Sequence, residues 1–216
     1  MRTVAVIPVK PLGLALGRLS GVLSAEERRS LQWEMLGAVL SACTGARRCA
    51  GVIVVTDDVA VAGLAGAFGA RVVADHRPPR GMNAAVIAGC AAALADDADA
   101  VLVLTADLPL VSAADIDAVI GEAPEGEGAV LVPSRDGTGT NLLLMRGPEA
   151  LTPELGPHSG ARHRAQAARI GLELTIHHSP AAALDIDTPE DLALLWARAP
   201  EWAQRTDLPP AAVAVR

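Results

Sequence analysis

Short apolar runs alternate along this chain with longer segments in which apolar positions recur every three or four residues. The short runs span four to six residues and are rich in valine, leucine and isoleucine, which is typical of strands buried on both faces. The longer segments have the period of helices with one buried side. The first of them begins with Ser24-Ala-Glu-Glu27, a capping-box sequence. Strands alternating with helices predict an α/β fold with a mainly parallel central sheet flanked by helices.

The same pattern predicts where each element lies. Helices are expected to start at residue 24, just after residue 58, at 82, at 112, near 161 and at the Thr188-Pro189 pair. The run at 100–105 is the most central-looking strand. The predicted strands are residues 3–8, 51–56, 71–74, 100–105, 129–133, 141–145 and 172–177.

The 216 residues contain neither an internal repeat nor an interdomain linker, so one domain over 1–200 with a Pro/Ala-rich tail over 201–216 is expected. No run approaches the roughly 20 apolar residues of a membrane helix, and because the first residues already read as a strand, no signal peptide is expected. The cysteines Cys43, Cys49 and Cys90 are odd in number and lack CxxC spacing. They predict reduced thiols in a cytoplasmic protein.

The formal net charge of −7 argues against a nucleic-acid surface, which would need a basic face, but not against small phosphorylated ligands. The basic residues themselves are unusual, because Lys10 is the single lysine beside seventeen arginines. It follows the first predicted strand, where an α/β sheet opens to its ligand, and an ammonium group there can bind phosphate as a point charge. The alternative is an ordinary surface lysine.

Three aspartates stand where strands or extended segments end. Asp107 follows the run at 100–105 and precedes Pro109, which stops the strand. Asp185 and Asp187 are two apart, so in an extended chain both point to one side, about 6.5 to 7 Å apart. That spacing suits ligands of Mg²⁺. Alternatively, Asp107 caps a loop and the other two only favour the N-terminus of the following helix.

Two glycine-containing loops are candidates for anion binding. In the Asp136-Gly-Thr-Gly-Thr-Asn141 segment, Asp-Gly predicts a hairpin turn, and the extra Gly-Thr could bring amides and a hydroxyl to an anion. In the segment 155–164, glycine and serine lead into a basic helix start. The histidines lack a third metal ligand at close spacing, so surface imidazoles are expected at His158, His163, His177 and His178.

A further loop enters the helix at residue 82, where Asn83 offers an amide that could recognise a base edge or ribose, or simply cap the helix. Carboxylates and anion-binding loops at strand ends favour nucleotidyl transfer with Mg²⁺. A dinucleotide enzyme is disfavoured because no GxGxxG follows the first strand.

Taken in order, these motifs resemble the CofC/FbiD family, the guanylyltransferases of deazaflavin coenzyme F-420 biosynthesis. The resemblance spans residues 3 to about 198 and is most specific in the closing Asp-x-Asp-Thr-Pro-x-Asp-Leu together with Gly-Thr-Gly-Thr and Gly-Pro-x-Ser. The matching segments are Pro8-Val-Lys10-Pro, Arg18-Leu19, Gly81-Met-Asn83-Ala-Ala, Ala106-Asp107-Leu-Pro109, Gly137-Thr-Gly-Thr140, Gly156-Pro-His-Ser159 and Asp185-Ile-Asp187-Thr-Pro-Glu-Asp-Leu192.

The resemblance implies a single-domain, MobA-like and Rossmann-like nucleotidyltransferase fold related to the molybdopterin guanylyltransferases. It implies GTP as donor, and 2-phospho-L-lactate, phosphoenolpyruvate or 3-phosphoglycerate as the three-carbon acceptor. No nucleic acid or membrane partner is implied, and the alanine-rich helices leave room for a homodimer. The implied roles are catalysis by Lys10, Arg18 and Asp107; nucleotide binding by Pro8, Lys10, Arg18, Gly81 and Asn83; acceptor binding by Lys10, Thr140, Gly156 and Ser159; and Mg²⁺ binding by Asp107, Asp185 and Asp187.

The chain departs from the family in the first loop, which usually carries a second lysine followed by Ser or Thr. Leu16 and Gly17 occupy those positions here. The missing cation could weaken GTP binding, change the acceptor or be replaced by an arginine. Two alternatives therefore stay open: a sugar-phosphate or molybdopterin nucleotidyltransferase, and a catalytically silent nucleotide-binding relative.

Overall fold

A computed structural model describes residues 1–13, 16–74, 81–147, 149 and 151–206. Its strands are β1 (Thr3–Pro8), β2 (Cys49–Val55), β3 (Arg71–Val73), β4 (Ala100–Leu104), β5 (Gly128–Pro133), β6 (Thr140–Arg146) and β7 (Glu173–Ile176). Its α-helices are α1 (Ala25–Gly45), α2 (Val59–Ala67), α3 (Met82–Ala95), α4 (Ala113–Gly121), α5 (Ser159–Ile170), α6 (Pro189–Arg198) and α7 (Glu201–Arg205), with one 3-10 turn at Gly17–Leu19.

The strands form a seven-stranded sheet in the order β3-β2-β1-β4-β6-β5-β7, with β4 at its centre as expected. Four strand pairs are parallel, and only β6 runs antiparallel to its neighbours β4 and β5. The predicted α/β class with a mainly parallel sheet is confirmed. The Asp-Gly turn explains the exception, since a hairpin must reverse the chain between β5 and β6.

Apolar side chains cover both faces of the sheet because successive residues of a strand point to opposite sides. In β1, Ala5 and Ile7 pack in one layer with α1, α2 and α4, whereas Val4 and Val6 pack in the other with α3 and α5. The alanine-rich α3 lies very close to the sheet. A Cβ at Gly89 would collide with Val6 and Val55, so a larger residue there would push the helix away.

Helix ends follow the predicted caps. Ser24 and Glu27 form the reciprocal capping box of α1, and Thr188 with Asp191 forms that of α6. Helix α5 begins at Ser159, two residues before the expected position, because the left-handed backbone of His158 (φ 58°) already turns the chain into the helix. The described part of the chain has no helix with the length and apolarity needed to span a bilayer.

The C-terminal segment adds structure that the sequence pattern did not predict. Residues 201–205 form α7, and Trp202 is buried in a third apolar cluster with residues of α1 and α6. The packed domain therefore continues past residue 200. The rest of the expected tail, 207–216, lies outside the described residues.

Candidate active site

Two adjoining cavities open where β1 and β4 end, at the edge where parallel α/β sheets bind ligands. The first cavity, of about 460 Å³, is bounded by the residues after β1 and the 3-10 turn. The second cavity, of about 430 Å³, is bounded by the β5–β6 loop, the loop before α5 and the segment before α6. The residues common to both walls are Arg18, Met82, Thr105, Asp107 and Asp187.

The first cavity contains the predicted cations of the first loop. Pro8, Lys10 and Arg18 line it together, and the side chains of Lys10 and Arg18 are exposed to solvent. Leu16 lines the same wall in the left-handed conformation (φ 57°) and is itself buried in an apolar cluster. The position of the family's second lysine is thus part of the hydrophobic packing here, and among the described residues that line this cavity the positive charge comes from Lys10 and Arg18.

Asp107 lies between the two cavities at the end of β4. The residue is partly exposed to the cleft, but its Oδ1 is buried and has no hydrogen-bond partner in the described structure. Burial raises the pKa of Asp107 to about 7, and the nearby charges of Asp185 and Asp187 act in the same direction, against the lowering effect of the Thr105 hydroxyl. A carboxylate in this state needs a cation to be stably ionised.

The Asp-Ile-Asp segment sits beside Asp107. The backbone N–H of Ile186 donates to the Asp107 carbonyl at 3.1 Å, which ties the two segments together, and the Ile186 side chain is fully buried. Asp185 and Asp187, the residues before and after Ile186, therefore both face the second cavity. Burial raises the pKa of Asp185, while a 3.3 Å hydrogen bond from Asn141 Nδ2 opposes that shift.

Asp187 is the more open of the pair, with its side chain 47% exposed and 3.2 Å from an Arg18 guanidinium nitrogen. Within the described ranges, no three Asp, Glu, His or Cys side chains are close enough to form a ready-made cation cage. Mg²⁺ typically takes one or two carboxylates and completes its shell with substrate phosphates and water. The unpartnered Oδ1 of Asp107 and the exposed carboxylate of Asp187 fit that kind of site.

The loop between β5 and β6 is rigidly organised around Asp136. Its carboxylate accepts hydrogen bonds from the Ser134 hydroxyl at 2.6 Å and from the Thr138 backbone and hydroxyl at 2.9 and 3.0 Å. These hydrogen bonds, that from Ser134 foremost, lower the pKa of Asp136 to about 2. Asp136 holds the loop that brings Thr138, Gly139 and Thr140 to the second cavity.

Thr140 is the innermost hydroxyl of that wall. Ser159, at the start of α5, is fully buried behind it and donates to Thr140 Oγ1 at 3.1 Å. The Ser159 side chain is not part of the cavity wall, so in this structure it acts through Thr140. Two amides of the α5 start are also engaged, since Ser159 N–H donates to Gly156 and Gly160 N–H donates to Thr138.

The expectation of surface imidazoles is wrong for His163, which is fully buried and lies beside Thr140. His163 is four residues after Ser159 and four before Ala167, which are both buried, so it lies on the inner face of α5. His177 is partly buried and lies 2.8 Å from a Glu122 carboxylate oxygen. His158 and His178 are exposed, as expected.

Asn83 links the start of α3 to the loop that contains Gly156. Its Oδ1 accepts from the Leu155 N–H at 2.7 Å and its Nδ2 is 3.4 Å from the Leu155 carbonyl. Gly81, not Asn83, occupies the N-cap position of α3. Both ends of the Asn83 amide are thus paired with backbone, and Asn83 fixes the Gly156 loop instead of offering a free edge to a base.

The sequence reasoning gave no role in the site to three residues, Arg135, Asn141 and His163. Arg135 donates to Asp191 at 2.7 Å and so joins the β5–β6 loop to the start of α6. Asn141 bonds to Asp185 and to the Ala182 carbonyl. His163 supports Thr140. Only Asn141 carried a usable signal, because an amide at the start of an apolar strand must find buried partners.

The fold and the cleft define a nucleotidyltransferase-type α/β domain, in which a cationic cavity and a hydroxyl-lined cavity meet at the carboxylates of Asp107 and Asp187. The chain belongs to the guanylyl transferase CofC-like family, whose model matches residues 3–200. This confirms the predicted family, and with it an enzyme of the guanylyltransferase class.

Individual relatives support the family, and a solved structure supports the fold. A phosphoenolpyruvate guanylyltransferase of Sphaerobacter thermophilus is 41% identical over 93% of this chain and 95% of its own. A 3-phospho-D-glycerate guanylyltransferase of Phenylobacterium zucineum is 43% identical over 82% of each chain. The solved structure of a nucleotidyl transferase from Methanothermobacter has a TM-score of 0.63 and 18% identity, over 91% of this chain and 97% of its own, and so supports the fold.

Proposed function

We propose that this protein transfers GMP from GTP to phosphoenolpyruvate and releases diphosphate. The observation that carries the proposal is the pair of adjoining cavities with Asp107 and Asp187 in the shared wall. A donor and an acceptor can each occupy one cavity, with their reacting phosphates meeting at the carboxylates. The resemblance places such a step in coenzyme F-420 biosynthesis.

GTP would occupy the first cavity. Lys10 and Arg18 provide the positive charge that the triphosphate requires. Pro8 lines this cavity at the end of β1, and Gly81 is the N-cap of α3, next to Met82 in the cavity wall. Leu16 adds apolar surface at this wall but no charge. We therefore expect Lys10 to carry a larger share of triphosphate binding than a lysine would in a two-lysine loop.

The acceptor would occupy the second cavity, with its phosphate at Thr140 and Gly156 and with Ser159 in support. An oxygen of that phosphate attacks the α-phosphorus of GTP in line. The new P–O bond forms a phosphoanhydride while the bond between the α-phosphorus and the bridging oxygen breaks, and diphosphate leaves. The residues position the reactants and balance charge, which is what this chemistry requires.

Mg²⁺ would be held by Asp107 and Asp187, with Asp185 beside them, and when bound it neutralises charge on the reacting phosphates. Asn141 orients the Asp185 carboxylate, and the Ile186–Asp107 backbone bond keeps the two acidic segments together. Arg18 lies 3.2 Å from Asp187, so its guanidinium is at the junction of the cavities, where it would contact the reacting phosphates.

Phosphoenolpyruvate is chosen as the acceptor because it is the acceptor named for several relatives, including three at 39–43% identity over at least 90% of this chain. The 3-phosphoglycerate enzyme covers a smaller share. 2-Phospho-L-lactate has the same arrangement of carboxylate and phosphate on one carbon as phosphoenolpyruvate, and so it fits the same cavity.

A panel of nucleotides and acceptors tests the proposal. Diphosphate release would be measured with GTP, ATP, CTP or UTP against each of the three acceptors in the presence of Mg²⁺. We expect GTP with phosphoenolpyruvate to give the largest kcat/KM. Release with a sugar phosphate, or GTP binding with no release for any acceptor, would contradict the proposal and favour one of the two alternatives left open by the sequence.

A further inference from the structure

His163 stands directly behind Thr140, and nothing in the proposed reaction accounts for its presence there. Its Nδ1 lies 3.0 Å from Thr140 Oγ1, and its Nε2 accepts a 2.9 Å hydrogen bond from the backbone N–H of Glu154. Burial, helped by the charge of the neighbouring Arg162 and opposed by that of Glu154, lowers the pKa of His163 to about 4. The ring is therefore neutral near pH 7.

The two hydrogen bonds determine where the imidazole proton sits. A neutral imidazole has one N–H and one bare nitrogen, and the backbone N–H of Glu154 can only donate. Nε2 must therefore be the bare nitrogen, and Nδ1 carries the hydrogen. It follows that Nδ1–H donates to the Thr140 hydroxyl oxygen.

Thr140 Oγ1 also accepts the hydroxyl hydrogen of Ser159 at 3.1 Å. A hydroxyl oxygen has two lone pairs and one hydrogen, so the bonds from His163 and Ser159 use its whole accepting capacity. The remaining hydrogen of Thr140 can only be donated. Because Ser159 is fully buried while Thr140 lines the second cavity, that donor is directed to the acceptor site.

We infer that His163 is a positioning residue that makes Thr140 an obligate hydrogen-bond donor to the acceptor's phosphate. The inference rests on the proposed function, because that function puts the phosphate at Thr140. A fully ionised phosphate oxygen can only accept, so it matches this site. A ligand hydroxyl there could accept this hydrogen bond but could not donate to Thr140, so the site favours an ionised oxygen such as that of the phosphate.

Two substitutions separate the two hydrogen bonds of the ring. In His163→Asn the side-chain amide nitrogen occupies the place of Nδ1 and still donates to Thr140, while the Glu154 N–H loses its partner. In His163→Gln the amide reaches the place of Nε2 and can accept from Glu154, while Thr140 loses the ring donor and keeps only the hydrogen bond from Ser159. Both variants replace the ring with a neutral amide and each keeps one of its two hydrogen bonds, so each is a control for the other; His163→Asn leaves the larger gap, because Asn is one methylene shorter than Gln.

The first measurement needs no substrate. Long-range ¹H–¹⁵N spectra of the imidazoles distinguish the two tautomers, and the His163 signals are those missing from the His163→Gln spectrum. We expect the hydrogen on Nδ1. Finding it on Nε2 would overturn the inference whatever the enzyme's activity.

The second measurement is steady-state kinetics with GTP and phosphoenolpyruvate. In His163→Gln the Thr140 hydroxyl is no longer held in the orientation that donates to the charged phosphate. The acceptor KM should therefore rise about tenfold or more in this variant and much less in His163→Asn, with the GTP KM unchanged in both. In a Thr140→Val background, His163→Gln should have little further effect on the acceptor KM, because the hydroxyl through which it acts is gone.

The outcomes separate this inference from the proposed function. An active wild type whose acceptor KM rises equally in the two variants would overturn the inference alone and leave His163 a packing residue. A wild type that converts none of the acceptors would overturn the proposed function, and the inference would fall with it.

Discussion

Asp107 combines two requirements that oppose each other. Reaction at the junction of the cavities needs an ionised carboxylate, yet the surroundings of this carboxyl raise its pKa to about 7, and Oδ1 has no hydrogen-bond partner among the described residues. An acid whose pKa is raised on folding stabilises the fold only at low pH. That stabilisation is fully present below the unfolded pKa of about 3.9 and is lost as the pH rises through about 7.

We therefore expect Asp107→Asn to be more stable than the wild type in metal-free buffer at pH 8, while losing activity. The gain in Tm should shrink toward zero as the pH is lowered to about 4, since the wild-type carboxyl is then neutral in both folded and unfolded states. Thermal unfolding with a chelator across that range measures it. The exposed Asp57→Asn is the matched control, and a stability difference that does not change with pH would contradict the explanation.

Asp187 should behave differently because it is half exposed and pairs with the exposed Arg18. Such a surface pair contributes about 0–1 kcal/mol to folding. We expect Asp187→Asn to keep the wild-type Tm within a few degrees and to lose about 3–4 kcal/mol of transition-state stabilisation, on the order of 10²- to 10³-fold in kcat. Near wild-type turnover at saturating Mg²⁺ would remove Asp187 from the metal assignment.

At the scale of elements, the start of α3 and the loop before α5 form one unit through Asn83 and Leu155. Arg162 strengthens it by donating to the Glu154 carbonyl at 3.2 Å and to the Pro157 carbonyl. The loop that contains Gly156 is thus held by Asn83 of α3 on one side and by Arg162 of α5 on the other.

We expect Asn83→Ala to raise the acceptor KM several-fold and to destabilise the fold by about 1–3 kcal/mol, since buried backbone groups of Leu155 lose their partner. Selectivity for GTP over ATP should be unchanged. Kinetics with both nucleotides test this, and a collapse of that selectivity with an unchanged acceptor KM would show that Asn83 reads the base.

The sequence predicted the elements that have a local signal, but it did not predict the side-chain contacts that join those elements to distant segments. The caps of α1 and α6 and the Asp-Gly turn depend on neighbours in sequence, which is why their residues could be named in advance. The burial of His163 and the pairing of Arg135 with Asp191 join segments that are 23 or more residues apart. Such contacts depend on how helices dock on the sheet, and a lone histidine or arginine carries no sign of them.

At the scale of the whole molecule, α7 shows that the domain does not stop at residue 200. Trp202 is 3% exposed and packs against α1 and α6. We expect Trp202→Ala to lower the free energy of unfolding by about 3–5 kcal/mol, as for other buried aromatic truncations. Denaturant unfolding measures it against Val59→Ala, whose side chain is 87% exposed and should change little; equal effects would contradict the packing role.

The order of the motifs along the chain predicted the architecture well, because strand ends in a parallel sheet converge at one edge. The confirmed fold brings Lys10, Asp107 and the Asp185–Asp187 segment to that edge. The division of the cleft into two cavities depended on side-chain packing and could not be foreseen. The three cysteines are free, as predicted, while cytoplasmic location and a homodimer stay predictions.

The central claim is that the two cavities bring GTP and a three-carbon phosphate together at the carboxylates. Mass spectrometry of the product formed from GTP, phosphoenolpyruvate and Mg²⁺ tests it most directly, with Asp187→Asn as the control. The account predicts a guanylylated phosphoenolpyruvate that forms together with diphosphate and is nearly absent with the variant. Recovery of unchanged GTP and acceptor from protein that binds both, or an equal yield from the variant, would contradict it.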